Sequence, residues 1–545
     1  MKPSRGMLVL AAVLALVPVT ATAQHDMDMS THAVPEQLGR VYFPISCKPE
    51  LQPAFNRAVA LMHSFAYVEA SKAFADVAAK DSTCGMAQWG IAMSNFHTIW
   101  GPPTEAEFAA GQAAARRATV LGAPTQRERD LIAAIAAFYR DGGIPHATRV
   151  VAYEQAMAAV AERNPDDDEI MIFHAVAILG VAYNSPPDKT HARQRQAAEI
   201  LNRLLALEPD HPGISHYLIH SFDYPGLAEL ALPAARNYAK IAPSAPHALH
   251  MPSHIFTRLG MWQESIASNL ASAAAAQEGM ARTHPGSTAF DGLHASDYLE
   301  YAYLQTGQDA KARELADQVS RVTSLDLPAF SAGYALAAVP ARYALERRAW
   351  KEAAQLTVSP ESYPWAKYPY AEAITWFAQC MGAARSGDLE RARTALERLT
   401  AIQHGLQGQK GFDWASQVEV QRLAAAGWIA RAEKKNADAL KLLRAAADLE
   451  DSTDKHPVTP GSVLPAREQL ADLLAELGQP AAALAEYEAS LRTAPARFNS
   501  YAGAARAAER AGDKQKAKDY EDRLVAQCGG SVPDRAAEVK AALKE

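Results

Sequence analysis

The chain has 545 residues, 49% of them hydrophobic and 21% charged, the balance of a folded protein rather than a disordered one. A net charge of −7 and the lack of basic patches with interleaved aromatics exclude a broad nucleic-acid footprint. Four cysteines are too few for a disulfide scaffold, and alanine-rich sequence with 8% aromatics argues for an all-α protein.

The chain opens with Lys2 and Arg5, an apolar run from Met7 to Val19, and Ala21-Thr22-Ala23. This is the pattern of a secretory signal peptide cut after Ala23, so residues 1–23 are expected to be removed and the protein to be periplasmic or secreted. No later stretch has 18 consecutive apolar residues, so no membrane span is expected after cleavage. An N-terminal extension, 24–50, follows. It holds His25, Met27, Met29 and His32, a set whose thioethers suit copper.

From residue 51 onward the pattern is one of helical pairs. Phe55–Ser64 and Tyr67–Lys80 form the first, with small Ala70 and large Phe74 at the positions that tight packing of two helices requires. Cys47 and Cys84 flank this pair. The entry and exit of an antiparallel pair lie close together, so a Cys47–Cys84 disulfide is expected in an oxidising compartment. Cys380 and Cys528 are too far apart along an extended array to be assigned a bond.

Gly226 and Gly260 are 34 residues apart, as are Pro209 and Pro243, and Gly478 and Gly512 near the C-terminus. There Leu464–Leu477 pairs with Pro480–Arg492, and Asn499–Ala511 with Lys514–Gln527. A 34-residue period with a mid-repeat glycine and a terminal proline resembles the tetratricopeptide repeat (TPR). The resemblance covers most of the chain after the leader, with degenerate or lengthened stretches at Thr283–Gly292 and Ser452–Pro465. It implies a right-handed α-solenoid of about a dozen TPR-like helical hairpins, with the first helix of each pair lining a concave groove that binds peptides or partner proteins. The expected divisions are N-terminal repeats at 51–211, repeats carrying a His-rich groove at 212–331, degenerate repeats at 332–462, a C-terminal TPR pair at 463–528 and a tail at 529–545.

Eight of the 17 histidines fall in the 84 residues from His211 to His294. His216 and His220 are one helical turn apart, as are His250 and His254, and the two pairs are separated by the 34-residue period. They therefore occupy equivalent positions on adjacent first helices. With repeats starting at Pro212, Pro246 and Leu293, the groove-facing second, fifth, ninth and twelfth positions include His216, His220, Asp223, His247, His250, His254, His294, Asp297 and Tyr301. Imidazole and carboxylate together suit a transition metal such as copper, zinc or iron, and no cysteine stands near. The first-choice ligands are His216, His220, His250 and His254, followed by His247 and His294. Asp223 and Asp297 are ligands or carboxylates that orient the rings. A groove wall is expected to leave the site open to solvent.

Tyr217 and Met251 follow the leading histidines, so the His-Glu-x-x-His protease motif is absent. No phosphate loop, dinucleotide fingerprint or nucleophile elbow occurs. Clusters of three histidines on helices resemble coupled dicopper proteins in their ligands, without a matching fold. His63 and His97, also 34 apart, are expected to pack or hydrogen-bond, with distal ligands or substrate contacts at the N-terminal end of the groove as the alternative, and His174 is expected to be a core histidine; His456 has no partner pattern. Two functional classes follow. One is an exported repeat protein with a His/Asp metal centre, an enzyme of redox or hydrolytic type among the possibilities. The other is a periplasmic scaffold that binds a peptide or protein in its groove without metal.

Overall fold

A computed structural model describes Met1 and residues 36–99, 102–186, 188–409, 411–529 and 535. The leader, the His/Met segment after it and nearly all of the tail lie outside the described residues. Each helix places small and large apolar residues on one face. Tyr67, Ala70, Phe74 and Val77 are the buried residues of the helix Tyr67–Lys80 and recur at three- and four-residue spacing. Gly90 on the next helix, Gly85–Ser94, receives the Phe74 ring, and a Cβ there would lie 2.3 Å from Phe74 Cδ1. The same device recurs where Gly427 meets Leu443 and where Gly503 meets Tyr487. A small residue opposite a large one lets consecutive helices approach closely.

Among the described residues there are 25 α-helical segments, with the two halves Pro246–His250 and Pro252–Arg258 forming one interrupted helix. Consecutive helices pack antiparallel in about a dozen hairpins, as the TPR-like pattern predicts. The first pair is Gln52–His63 with Tyr67–Lys80. The last is Phe498–Arg510 with Lys514–Gln527. Gly478 and Gly512 turn their hairpins with φ of 72° and 86°, a left-handed conformation that suits glycine. The expected disulfide is present: Cys47 and Cys84 are bonded, with Cα atoms 5.2 Å apart. Cys380 is a buried free thiol, and Cys528 is buried as well.

Residues 37–545 form one unit, and it does not leave its inner face bare. The lengthened stretch after Ser452 runs as a strap, residues 453–465, across the histidine-bearing helices. Asp454 accepts from Lys189 Nζ at 3.0 Å, and the carbonyls of Pro457 and Thr459 accept from the Tyr298 hydroxyl at 2.7 and 3.1 Å. Beyond the strap, Arg497 ties the C-terminal helices to the middle of the array. Its guanidinium is fully buried and donates to Glu346, Glu468 and the Tyr301 hydroxyl. Trp262 Nε1 donates to the carbonyl of Ala496 at 2.9 Å.

Candidate metal centre

Three helices carry the site. Pro212–Phe222 begins with proline, whose missing N–H is no loss in a first turn, and its Gly213 N–H is capped by His211 Nδ1. Every residue of this helix is buried. The second helix is interrupted at Pro252, which has no N–H to continue the ladder. It carries His247, His250 and His254. The third, Phe290–Gln305, carries His294.

The structure sorts the predicted histidines into two trios. His216, His220 and His247 form one. His250, His254 and His294 form the other. Within each trio the candidate ligand atoms all lie within 4.8 Å of one another. His216 Nε2 is 3.1 Å from both His220 Nε2 and His247 Nε2, and His250 Nε2 is 3.0 Å from His254 Nε2. The trios adjoin: the His220 and His254 ring centroids are 6.5 Å apart, those of His247 and His250 6.3 Å.

The other ring nitrogens determine what these short approaches mean. His216 Nδ1 donates to the carbonyl of His63 at 2.6 Å. His254 Nδ1 donates to Asp223 Oδ2 at 3.0 Å. His250 Nδ1 donates to Asn269 Oδ1 at 2.7 Å, while Asn269 Nδ2 is committed to the carbonyl of Ser265. A neutral imidazole carries one proton, so Nε2 of His216, His250 and His254 are all bare lone pairs. Burial keeps the rings neutral. It holds His216 and His250 down to about 3, with neighbouring imidazoles adding to the effect, and it lowers His254 against the pull of Asp223. His220, His247 and His294 are pushed well below the usual histidine range, first by burial and then by the neighbouring imidazoles. Two bare lone pairs 3.0 Å apart in a dry site repel unless a cation lies between them. His294 Nδ1 is likewise buried without a hydrogen-bond partner among the described residues.

Each trio has an aromatic wall. The Phe65 ring lies 4.2, 5.6 and 5.3 Å from those of His216, His220 and His247. Tyr298 lies 4.9, 4.7 and 5.5 Å from those of His250, His254 and His294. Phe65 adopts φ of 57°, a strained conformation for a non-glycine residue costing on the order of 1 kcal/mol, and the contacts of its ring offset this. The expectation of a solvent-open groove is therefore corrected. The six histidines are 0–8% exposed, because the strap, Phe65 and Tyr298 cover the helix faces that an isolated repeat would leave wet.

The two aspartates part ways. Asp223 is fully buried. Burial works to raise its pKa, but Lys455 and Arg258 hold it well below the usual range, so it is an anion that orients His254. Asp297 turns away from the histidines and pairs with the buried guanidinium of Arg342, alongside Glu300. Tyr301 is likewise taken up by Arg497.

A third cluster, His63, Glu169 and His211, behaves differently. His63 and His211 each direct Nε2 at a separate oxygen of Glu169, at 3.2 and 3.1 Å, while Tyr217 and the Gly213 N–H occupy their Nδ1 atoms. Each ring nitrogen of His63 and His211 and each oxygen of Glu169 has a partner, so the cluster is satisfied as a hydrogen-bonded brace. It also places the His63 carbonyl that fixes the tautomer of His216. His97 stands apart beside Glu107 at 3.7 Å, and His174, expected in the core, is only partly buried, 3.8 Å from Glu154.

Sequence reasoning missed Tyr298, Asn269, Phe65 and the strap. Tyr298 had a signal, since it follows His294 at helical i+4 spacing. Phe65 sits in a hairpin turn with no periodic signature. His456, which had no sequence partner, stacks on Trp414 at 5.1 Å in the strap.

No protein-family model and no curated protein matches this chain. Solved structures do. A monomeric mutant of IFIT1 with Gppp-AAAA has a TM-score of 0.40 at 12% identity, over 88% of this chain and 96% of that one. The human IFIT1 dimer with m7Gppp-AAAA has a TM-score of 0.38 at 12% identity, over 81% and 90%. The Cut9–Hcn1 hetero-tetramer of APC/C has a TM-score of 0.29 at 13% identity, over 91% and 96%.

Proposed function

We propose that this chain is an exported helical-repeat protein that holds a pair of copper ions, one in each trio of imidazoles, for redox chemistry. The observation that carries the reading is the 3.0 Å approach of His250 Nε2 to His254 Nε2, with both Nδ1 protons committed elsewhere. A metal ion converts that repulsion into two coordination bonds. The paired arrangement in the other trio supports a second ion.

Copper is favoured by the donor set. Both trios are all-imidazole, and copper(II) binds nitrogen donors more tightly than the other divalent first-row ions. Iron centres of the facial-triad type use a carboxylate, whereas Asp223 stands behind His254 and Asp297 faces Arg342. Zinc shares the geometry of three imidazoles and is the competing metal. The scaffold reading is weakened by the covered groove, since a peptide cannot lie on histidines that the strap already buries. The leader pattern at residues 1–23 supports export.

Metal analysis of the purified full chain, before and after chelation, tests the proposal. Two equivalents of copper are expected. The double variant His216→Ala with His250→Ala is expected to lose metal uptake and keep its helical circular dichroism. A parent that binds no metal, or a double variant that binds as the parent does, favours the scaffold instead.

A further inference from the structure

Where the strap passes the helix Trp414–Ala432 it closes over a cavity that none of the six trio histidines lines. The space is about 620 Å³ including its mouth, within the range of small-molecule sites. Aromatic rings line it: Tyr370 stacks on Trp414 at 3.9 Å with the planes 6° apart, and the Tyr334 ring is 6.1 Å from that of Trp414. Three polar side chains line it as well, Lys455 from the strap, Gln421 from the helix, and Glu450. Lys455 Nζ and Gln421 Oε1 are buried and, among the described residues, have no hydrogen-bond partner. Asp223 stands 3.8 Å from Lys455 Nζ, beyond hydrogen-bond reach. Polar groups left so in a cavity wall point to a ligand that completes them, and because neither is held, each turns into the cavity without breaking a hydrogen bond. Glu450 accepts from Ser462 Oγ at 2.7 Å and from the Ala466 N–H at 2.8 Å, and its carboxylate has lone pairs to spare.

We propose that this cavity binds a free α-amino acid with an aromatic side chain. The ligand's carboxylate accepts from Lys455 Nζ, its ammonium donates to Gln421 Oε1 and Glu450, and its ring packs on Trp414 and Tyr370. A simple carboxylic acid leaves Gln421 and Glu450 unanswered, and a simple amine leaves Lys455 unanswered. Burial lowers the Lys455 pKa to about 7 and raises that of Glu450, and an opposite charge brought to each favours its ionised form. The site does not depend on the metal reading above.

The full chain is titrated with phenylalanine by calorimetry at pH 7, before and after chelation. One equivalent is expected to bind in both. Phenylalaninamide lacks the carboxylate and N-acetylphenylalanine lacks the ammonium. Each is expected to bind about tenfold more weakly, the worth of a hydrogen bond to a charged group. Alanine, which lacks the ring, is expected not to bind. Lys455→Met is expected to weaken phenylalanine about tenfold and to leave phenylalaninamide as it is, and Gln421→Leu to weaken phenylalanine and leave N-acetylphenylalanine as it is. Circular dichroism checks that both variants fold. Gln421 is half-buried and its Oε1 holds nothing, so Gln421→Leu keeps the test decisive where Lys455→Met unfolds. A parent that binds no phenylalanine, or loses it on chelation, overturns the inference. N-acetylphenylalanine bound as tightly as phenylalanine marks a site for a peptide C-terminus and overturns it too, as does a folded Gln421→Leu that binds phenylalanine as the parent does.

Discussion

Asp223→Asn separates the two halves of the proposed centre. The carboxylate accepts from His254 Nδ1 at 3.0 Å and from Arg258 Nε at 2.8 Å, with Lys455 Nζ at 3.8 Å. Removing its charge weakens the donor strength of His254 and loosens its ring. Loss of such an orienting partner typically lowers metal affinity about 10–100-fold, or ~1.4–2.7 kcal/mol. Only the second trio contains His254, and the tautomer of His216 is held by the His63 carbonyl instead. Competition of Cu(I) against a chelator of known affinity is therefore expected to resolve two steps in the variant, one unchanged and one weakened. The substitution also leaves Arg258 and Lys455 without their buried anion, a loss of roughly 3–5 kcal/mol. At ~1 kcal/mol/K for a chain of this size, the melting temperature is expected to fall by about 3–5 °C. Equal weakening of both ions, or of neither, refutes the assignment of Asp223 to one trio.

Three further outcomes follow from the fold. Burial works to raise the pKa of Glu169, but the charges and hydrogen bonds of His211 and His63 outweigh it and hold the carboxylate below its ordinary range. That stability is present above the unfolded value near ~4.3 and is lost as pH falls below it. Urea titrations from pH 7 to pH 3 are expected to show a steeper loss for the parent than for Glu169→Gln. Replacing Cys47 and Cys84 with serine is expected to remove about 4 kcal/mol in the chain-entropy model, since 37 residues separate them. Hydrogen exchange in the first hairpin reads this loss. Arg497→Met leaves the buried carboxylates of Glu346 and Glu468 facing each other, and denaturant unfolding of the C-terminal helices is expected to shift by ~3–5 kcal/mol. The glutamine double variant at those positions together with Arg497→Met is expected to recover most of it.

The sequence by itself determined the helical architecture and the six histidines that the structure brings together. Those are matters of local period. A repeat of 3.6 residues within helices and 34 between them is enough to place Tyr67 to Val77 on one face and to put His216 with His220, and His250 with His254, at equivalent heights. What the tertiary structure alone decided is which histidines meet and whether water reaches them. His247 joins the preceding pair and His294 the following one: His247 Nε2 lies 3.1 Å from His216 Nε2, and the His294 ring lies 4.3 Å from that of His250. Asp297 shares a predicted face with His294 yet turns to Arg342, a buried cation 45 residues away with no other anion as near. The covering of the site comes from Phe65 in the first hairpin and the strap at 453–465, separated from His216 by more than 150 and 230 residues. No periodicity links such distant segments. The ring protons are matched by the His63 carbonyl, Asn269 and Asp223, and what Phe65 and the strap contribute is the cover that keeps water out.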